Sequence, residues 1–219
     1  CASGARRPHQ PLSSEPILRR FFILLSALLA AVAAFGVTAL STSAVAAAPV
    51  LKAGVFDPPA PAPAFALHGT DGSADVGPAR YKGKVVLMSF GFTHCAAVCP
   101  TTLATLAQAR QQLGPAAAAD VRVVFITVDP QRDDVARLKA YLAAFDPSFI
   151  GVTGRPEALA AVRKGYGVTA NKVAMGDSYA VDHTSSTYVI DRQGRLRGLM
   201  PYGRSANDYV HDLRVLLAQ

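Results

Sequence analysis

Along residues 65–219 the hydrophobic pattern switches repeatedly between continuous apolar runs and a helical period. Residues 85–92 (VVLMSFGF) and 121–128 (VRVVFITV) are near-continuous apolar runs of strand length, which predicts two strands buried on both faces. Between them, Leu103, Leu106, Ala109 and Leu113 fall at helical spacing over residues 100–113, and Gly114-Pro115 stops the helix. Asp133 and Asp134 open a second helix with the apolar stripe Val135, Leu138, Leu142 and Phe145. A short strand follows at 149–152, then a helix at 156–166 with Leu159, Val162 and Tyr166 inward and glycines near its end. Residues 187–190 and 196–200, around Asp191-Arg192-Gln193-Gly194, predict a hairpin. A last helix spans 205–217, where Ser205 and Asp208 predict a capping box. Ahead of all these, 65–67 reads as a short strand before the turn residues 69–72.

Strand, helix, strand, helix, strand, helix, hairpin, helix is the order of an α/β domain with parallel strands and an antiparallel hairpin at one side. A thioredoxin-like fold, a central mixed sheet flanked by helices, has this order, and residues 64–219 are assigned to it. Three segments precede it: a basic tail at 1–20, an apolar segment at 21–40 and a Pro/Ala-rich linker at 41–63. The apolar segment, FFILLSALLAAVAAFGVTAL, has the ~20 residues that cross a bilayer as a helix. Arg19-Arg20 before it place everything after it on the outer side of the membrane, periplasmic or equivalent. Small-residue sites at Ala44-Val45-Ala46 and Ala46-Ala47-Ala48 keep open a cleaved signal peptide and secretion. The length of the apolar run favours a retained anchor. The prolines after Ala48 predict an extended, semi-rigid spacer that takes no part in a core.

Charge narrows the partners. Arg6, Arg7, Arg19 and Arg20 against Glu15 put +3 of the net +7 in the first 48 residues. The remainder has no Lys/Arg run and no basic patch interleaved with aromatics, so nucleic acid is not expected as a partner. There is no Gly-x-Gly-x-x-Gly after a strand, no phosphate-binding loop and no Gly-x-Ser-x-Gly elbow, which removes the usual nucleotide and hydrolase readings.

The candidate chemistry lies in the loop that leaves the first buried strand. Cys95 and Cys99 stand there four apart, with Pro100 at the predicted N1 and Cys99 at the predicted N-cap of the next helix. The helix dipole at that point favours a thiolate. Residues i and i+4 on a helical turn lie ~6 Å apart, which suits a disulfide or joint ligation of one metal. Two thiols at an exposed helix start can therefore cycle between dithiol and disulfide, or hold a soft metal. A static disulfide would close a small loop and add little stability. Two cysteines are too few for an iron–sulfur cluster or an all-thiolate zinc site. Cys1, at a position where a translated chain would have Met, marks a processed, truncated or misassigned start and is given no role. Of the five histidines, His9 lies in the tail, and His68, His94 and His211 read as surface residues. His183 precedes Thr184-Ser185-Ser186-Thr187 and the apolar Tyr188-Val189-Ile190, on a connection into the sheet that can reach the edge holding the Cys loop. A lone loop histidine is more often a bystander than a ligand, so spacing alone leaves both readings of His183 open.

Three blocks shift that balance: FGFTHCAAVCP at 90–100, TVDPQRD at 127–133 and VDHTSSTYVID at 181–191. Together they resemble the signature blocks of the Sco/SenC family, membrane-tethered thioredoxin-like copper proteins that assist assembly of the CuA centre of cytochrome c oxidase. The resemblance runs from about residue 65 to the C-terminus. It implies that Cys95, Cys99 and His183 are copper ligands and that Asp129 is an acidic residue with a supporting role. Two thiolates and one imidazole suit Cu(I), with Cu(II) as the alternative state, whereas zinc would need a fourth ligand and a blue-copper site a different set. One departure stands out: Ala96 replaces the proline usual after the first cysteine, and Ala97 stands where a polar residue is common. A more flexible loop there would shift thiolate pKa, copper affinity or redox potential. Val98-Cys99-Pro100-Thr101 is similar to a peroxiredoxin motif, but the threonine needed three residues before the cysteine is Ala96, which excludes peroxidase activity.

The resemblance therefore implies a copper metallochaperone that delivers copper to, or prepares, the CuA site. Its implied partners are the CuA-bearing oxidase subunit, other copper chaperones or thiol reductants, and the membrane through the N-terminal segment. The alternative is a membrane-associated thiol-disulfide oxidoreductase in which Cys95 and Cys99 are a redox-active pair reducing an oxidase subunit or another exported protein. A copper or redox sensor would use the same residues.

Overall fold

The computed structural model describes residues 50–219; the predicted tail at 1–20, the membrane or signal segment at 21–40 and residues 41–49 lie outside the described residues. The strands are β1 (Gly54–Pro61), β2 (His68–Gly69), β3 (Val85–Gly91), β4 (Val121–Thr127), β5 (Ile150–Thr153), β6 (Ala170–Met175), β7 (Ser178–His183), β8 (Thr187–Ile190) and β9 (Arg195–Met200). The helices are α1 (Val98–Leu113), α2 (Pro115–Ala118), α3 (Val135–Ala143), α4 (Pro156–Tyr166) and α5 (Ala206–Leu217). β3 is buried at every position, as its unbroken apolar run predicts. It has a strand on each side: parallel β4 in register from Val85↔Val121 to Gly91↔Thr127, and antiparallel β8. The seven-stranded sheet has the order β1-β9-β8-β3-β4-β5-β2, with β6 and β7 forming a separate two-stranded sheet.

Direction matters more than order for the site. β3 and β4 run parallel, so both deliver their C-terminal ends to the same sheet edge, joined there by the Val128 amide donating to the Gly91 carbonyl at 2.8 Å. β8 is antiparallel to β3, so its N-terminal end, with the chain arriving from β7, reaches that edge too. Loops at the carboxyl ends of parallel strands are where α/β folds place their ligands. α3 packs close on β5 because Gly151 leaves room: a Cβ there would stand 2.9 Å from Leu138 Cβ and 3.0 Å from Leu142 Cδ1. α5 begins with the predicted capping box, the Ser205 hydroxyl accepting from the Asp208 amide while the Asp208 carboxylate accepts from the Ser205 amide.

Two expectations need correction. The segment read as a spacer, up to residue 63, is part of the domain from Leu51 onward: Leu51 and Ala53 are buried, and β1 pairs antiparallel with β9. The prolines that suggested a spacer are accommodated because β1 is an edge strand, and because Pro58 and Pro59 fall in the irregular stretch between the pairs Val55↔Gly198 and Ala60↔Leu196. The second correction is β6 and β7, which the sequence pattern did not separate from loop. β6 is exposed along nearly its whole length, so it lacks the apolar alternation that announces a strand, and only Gly176 at the turn, with φ 58°, marks the hairpin.

The start of the folded chain is pinned by one carboxylate. Asp212, buried on α5, accepts from the Lys52 amide at 2.7 Å and the Ala53 amide at 2.9 Å, with His211 Nδ1 also at 2.9 Å. His211 is therefore half-buried and paired rather than freely solvated. Replacing Asp212 by Ala leaves two backbone donors without a partner, each worth about 1–3 kcal/mol when buried. Urea denaturation of Asp212→Ala should show a loss of that order with β1 the first segment to lose amide protection in hydrogen exchange.

Candidate metal centre

β3 ends at Gly91, and the chain turns through Phe92-Thr93-His94 to Cys95 before α1 begins. α1 starts two residues earlier than predicted: Ala97 is the N-cap, so Cys99 lies at N2 rather than at the cap. Ala97 has no side chain to accept a helical amide. The Cys99 amide donates instead to Cys95 Sγ, at 3.3 Å. Both cysteines are free thiols, Cys95 partly exposed and Cys99 buried at 3 % exposure. Burial pushes the Cys99 thiol well above its ordinary range, so desolvation outweighs the helix dipole that was expected to favour a thiolate.

His183 closes β7 and stands over this pair. Its Nε2 lies 3.7 Å from Cys99 Sγ, and its Nδ1 donates to the Thr184 carbonyl at 2.9 Å. A carbonyl only accepts, so Nδ1 carries a proton, and in the neutral ring the Nε2 lone pair faces the sulfur. The ring also stands edge-on to Phe92, with centroids 5.8 Å apart. Among the described residues no group of three His, Cys, Asp or Glu side chains is already closed into a metal cage. Two of the three expected ligands, Cys99 and His183, are in contact, while the Cys95 sulfur is engaged on the Cys99 amide. Cys95, His183, Phe92, Arg132, Tyr179 and Ala96 line a common open cavity of ≈ 560 Å³ at the sheet edge. His68 and His94 are exposed, as predicted for surface residues, although His94 lines the same open cavity and its Nδ1 lies 3.2 Å from the Thr93 hydroxyl.

The loop after β4 holds the site from below. Asp129 is buried and accepts from the Tyr179 hydroxyl at 2.8 Å and from Arg132 Nε. The Arg132 guanidinium lies 3.8 Å from the Tyr179 ring centroid and 5.7 Å from that of Phe92, and its Nη1 donates to the Tyr179 carbonyl. Asp129 is thereby tied to the β6–β7 hairpin that carries His183. Asp133, read from sequence as a helix opener, has another task. Asp134 is the N-cap of α3, and Asp133 turns inward, accepting from the Thr93 amide, the Thr93 hydroxyl at 2.7 Å and the Thr127 hydroxyl at 2.7 Å. A second acid directly after the first was the available signal: only one of two adjacent residues can cap the helix.

The sequence profile of the SCO1/SenC family matches residues 57–218. The chain belongs to the SCO1/SenC family. It is 38% identical over 141 residues to a protein named SCO2 homolog, mitochondrial, from Mus musculus, which covers 62% of this chain and 54% of that protein. The chain therefore spans about half the length of that curated relative. Among solved structures it is similar to Bradyrhizobium japonicum ScoI with copper bound, at 38% identity and a TM-score of 0.67, over 72% of this chain and all of that one. It is also similar to apo Sco1 from Thermus thermophilus, at 38% identity and a TM-score of 0.69, over 78% of this chain and 99% of that one. These likenesses agree with the thioredoxin-like architecture of a mixed sheet flanked by helices.

Gly91 is where the backbone makes room for the thiol. A Cβ there would lie 2.8 Å from Cys99 Sγ and 2.6 Å from two ring atoms of Phe125, and neither neighbour is free to retreat. Gly91→Ala should cost about 1–3 kcal/mol by overpacking. It should also raise the rate at which Cys99 is alkylated in the folded protein, read by peptide mass spectrometry, while Cys95 changes little.

Proposed function

We propose that this SCO1/SenC protein is a copper metallochaperone, holding copper through the thiolates of Cys95 and Cys99 and through Nε2 of His183. The observation that carries this reading is the imidazole: the Thr184 carbonyl fixes its proton on Nδ1, and the free Nε2 lone pair is aimed at the Cys99 sulfur at 3.7 Å. Metal-binding histidines are fixed in this way by a partner on the other ring nitrogen. Two sulfurs and one imidazole suit a soft ion such as Cu(I). Relatives described as copper-bound, from Bradyrhizobium japonicum and Arabidopsis thaliana, support the same cargo. Cys95 would turn from the Cys99 amide to complete the set, a side-chain movement in an exposed loop.

In this reading the acceptor is the CuA-bearing subunit of cytochrome c oxidase, reached by exchange of one sulfur ligand at a time. Relatives named as mitochondrial and as a lipoprotein support a domain held near a membrane on its outer side. The predicted anchor at 21–40 would supply the attachment; among the described residues no helix is long and apolar enough to cross a membrane. The oxidoreductase reading needs the two cysteines but gives the oriented imidazole no task.

Copper stoichiometry of the anaerobically reduced full chain, in detergent, tests this. One copper per chain is expected, with none stably held by Cys95→Ser/Cys99→Ser. Removing a mere outer partner of a metal ligand costs roughly 10–100-fold in affinity, so His183→Ala should lose at least that much. Equal copper affinity with and without His183, together with reversible Cys95–Cys99 disulfide formation, would instead favour the oxidoreductase.

A further inference from the structure

Ser89 lies on β3 two residues before Gly91, on the same face of the strand, and is buried at 4 % exposure. Its hydroxyl has no hydrogen-bond partner in the protein. An orphaned buried hydroxyl is costly, about 1–3 kcal/mol, and calls for an explanation. A small cavity of ≈ 10 Å³ adjoins it, lined by Cys99, Thr102, His183 and Ser185 together with apolar side chains. That volume is at the threshold for a single water, ~10–15 Å³, and too small for any larger occupant. The lining is polar enough to hold one: Ser89 and Ser185 can donate or accept, the Cys99 sulfur can accept, and Thr102 can accept because its own proton goes to the Val98 carbonyl at 3.0 Å.

We propose that Ser89 is a positioning residue for Cys99, holding one buried water that donates a hydrogen bond to the Cys99 sulfur from the core side. The site is thus supported from two directions. His183 and Cys95 approach Cys99 from the loop side, and the Ser89 water approaches from within the sheet. A hydrogen bond to a metal-bound thiolate stabilises its charge and lowers the energy of the sulfur electrons, which tunes both affinity and redox behaviour. This effect on copper rests on the metallochaperone reading above; the water itself does not.

Two measurements test the inference. A crystal structure of the reduced wild-type chain, at a resolution that shows ordered water, should place one within hydrogen-bond distance of both Ser89 Oγ and Cys99 Sγ. Ser89→Ala should weaken Cu(I) binding by roughly tenfold. It should also move the thiolate-to-Cu(II) charge-transfer band to longer wavelength, with no rise in melting temperature. A dry cavity overturns the inference, as does a Ser89→Ala protein that melts higher with affinity and band unchanged, since that is the behaviour of a hydroxyl with no partner. If the wild-type chain takes up no copper, the copper reading falls, and the crystallographic water alone decides for or against Ser89.

Discussion

Asp133 lies wholly inside the protein, and its carboxylate joins the loop leaving β3 to the loop leaving β4 through Thr93 and Thr127. Four residues earlier in the same loop, Asp129 takes the Tyr179 hydroxyl and Arg132, and through them the β6–β7 hairpin. One short loop therefore grips the cysteine loop with one acid and the histidine hairpin with the other. Neither sulfur nor imidazole touches these carboxylates, yet their relative positions follow from them. β3 and β4 bring the loop to this edge by running parallel, and Gly91 lets Cys99 settle against the last turn of the strand.

The parts of this arrangement that the sequence announced are those governed by a single strong local rule. Continuous apolar runs gave β3 and β4, helical spacing gave α1, α3 and α4, and Ser205 with Asp208 gave the start of α5. Cys95, Cys99 and His183 were legible as candidates, and the structure brings Cys99 and His183 together. What stayed hidden depends on partners distant in sequence. β1 is a strand only because β9 offers it an edge and Asp212 fixes its approach, and no local pattern in a proline-rich stretch reveals that. β6 and β7 make an exposed ribbon whose fixed position comes from Tyr179 and Lys172 on the 129–132 loop. The inward turn of Asp133 is decided by Thr93, 40 residues away.

The two cysteines are placed unequally, and magnitudes say which influence governs. A charge at a helix N-terminus gains about 0.3–1 kcal/mol from the dipole. Removing a thiolate from water can shift its pKa by up to ~3–5 units, each worth about 1.4 kcal/mol. For Cys99, buried under Gly91 and Phe125, desolvation is the larger effect and the free thiol stays protonated. Cys95, partly exposed, lines the open cavity and is the more accessible of the two sulfurs.

Ala97 gives Cys95 a further task. A polar residue at the N-cap would ordinarily accept the N2 or N3 amide of the helix. Here Ala97 offers no acceptor, and the Cys95 sulfur accepts the N2 amide of Cys99 in its place. The sulfur that would bind a metal is therefore also the cap of α1. Turning the side chain away uncaps the first turn, and replacing an N-cap acceptor costs about 0.5–2 kcal/mol. Alanine at 97 thus couples the first turn of α1 to whatever holds the Cys95 sulfur.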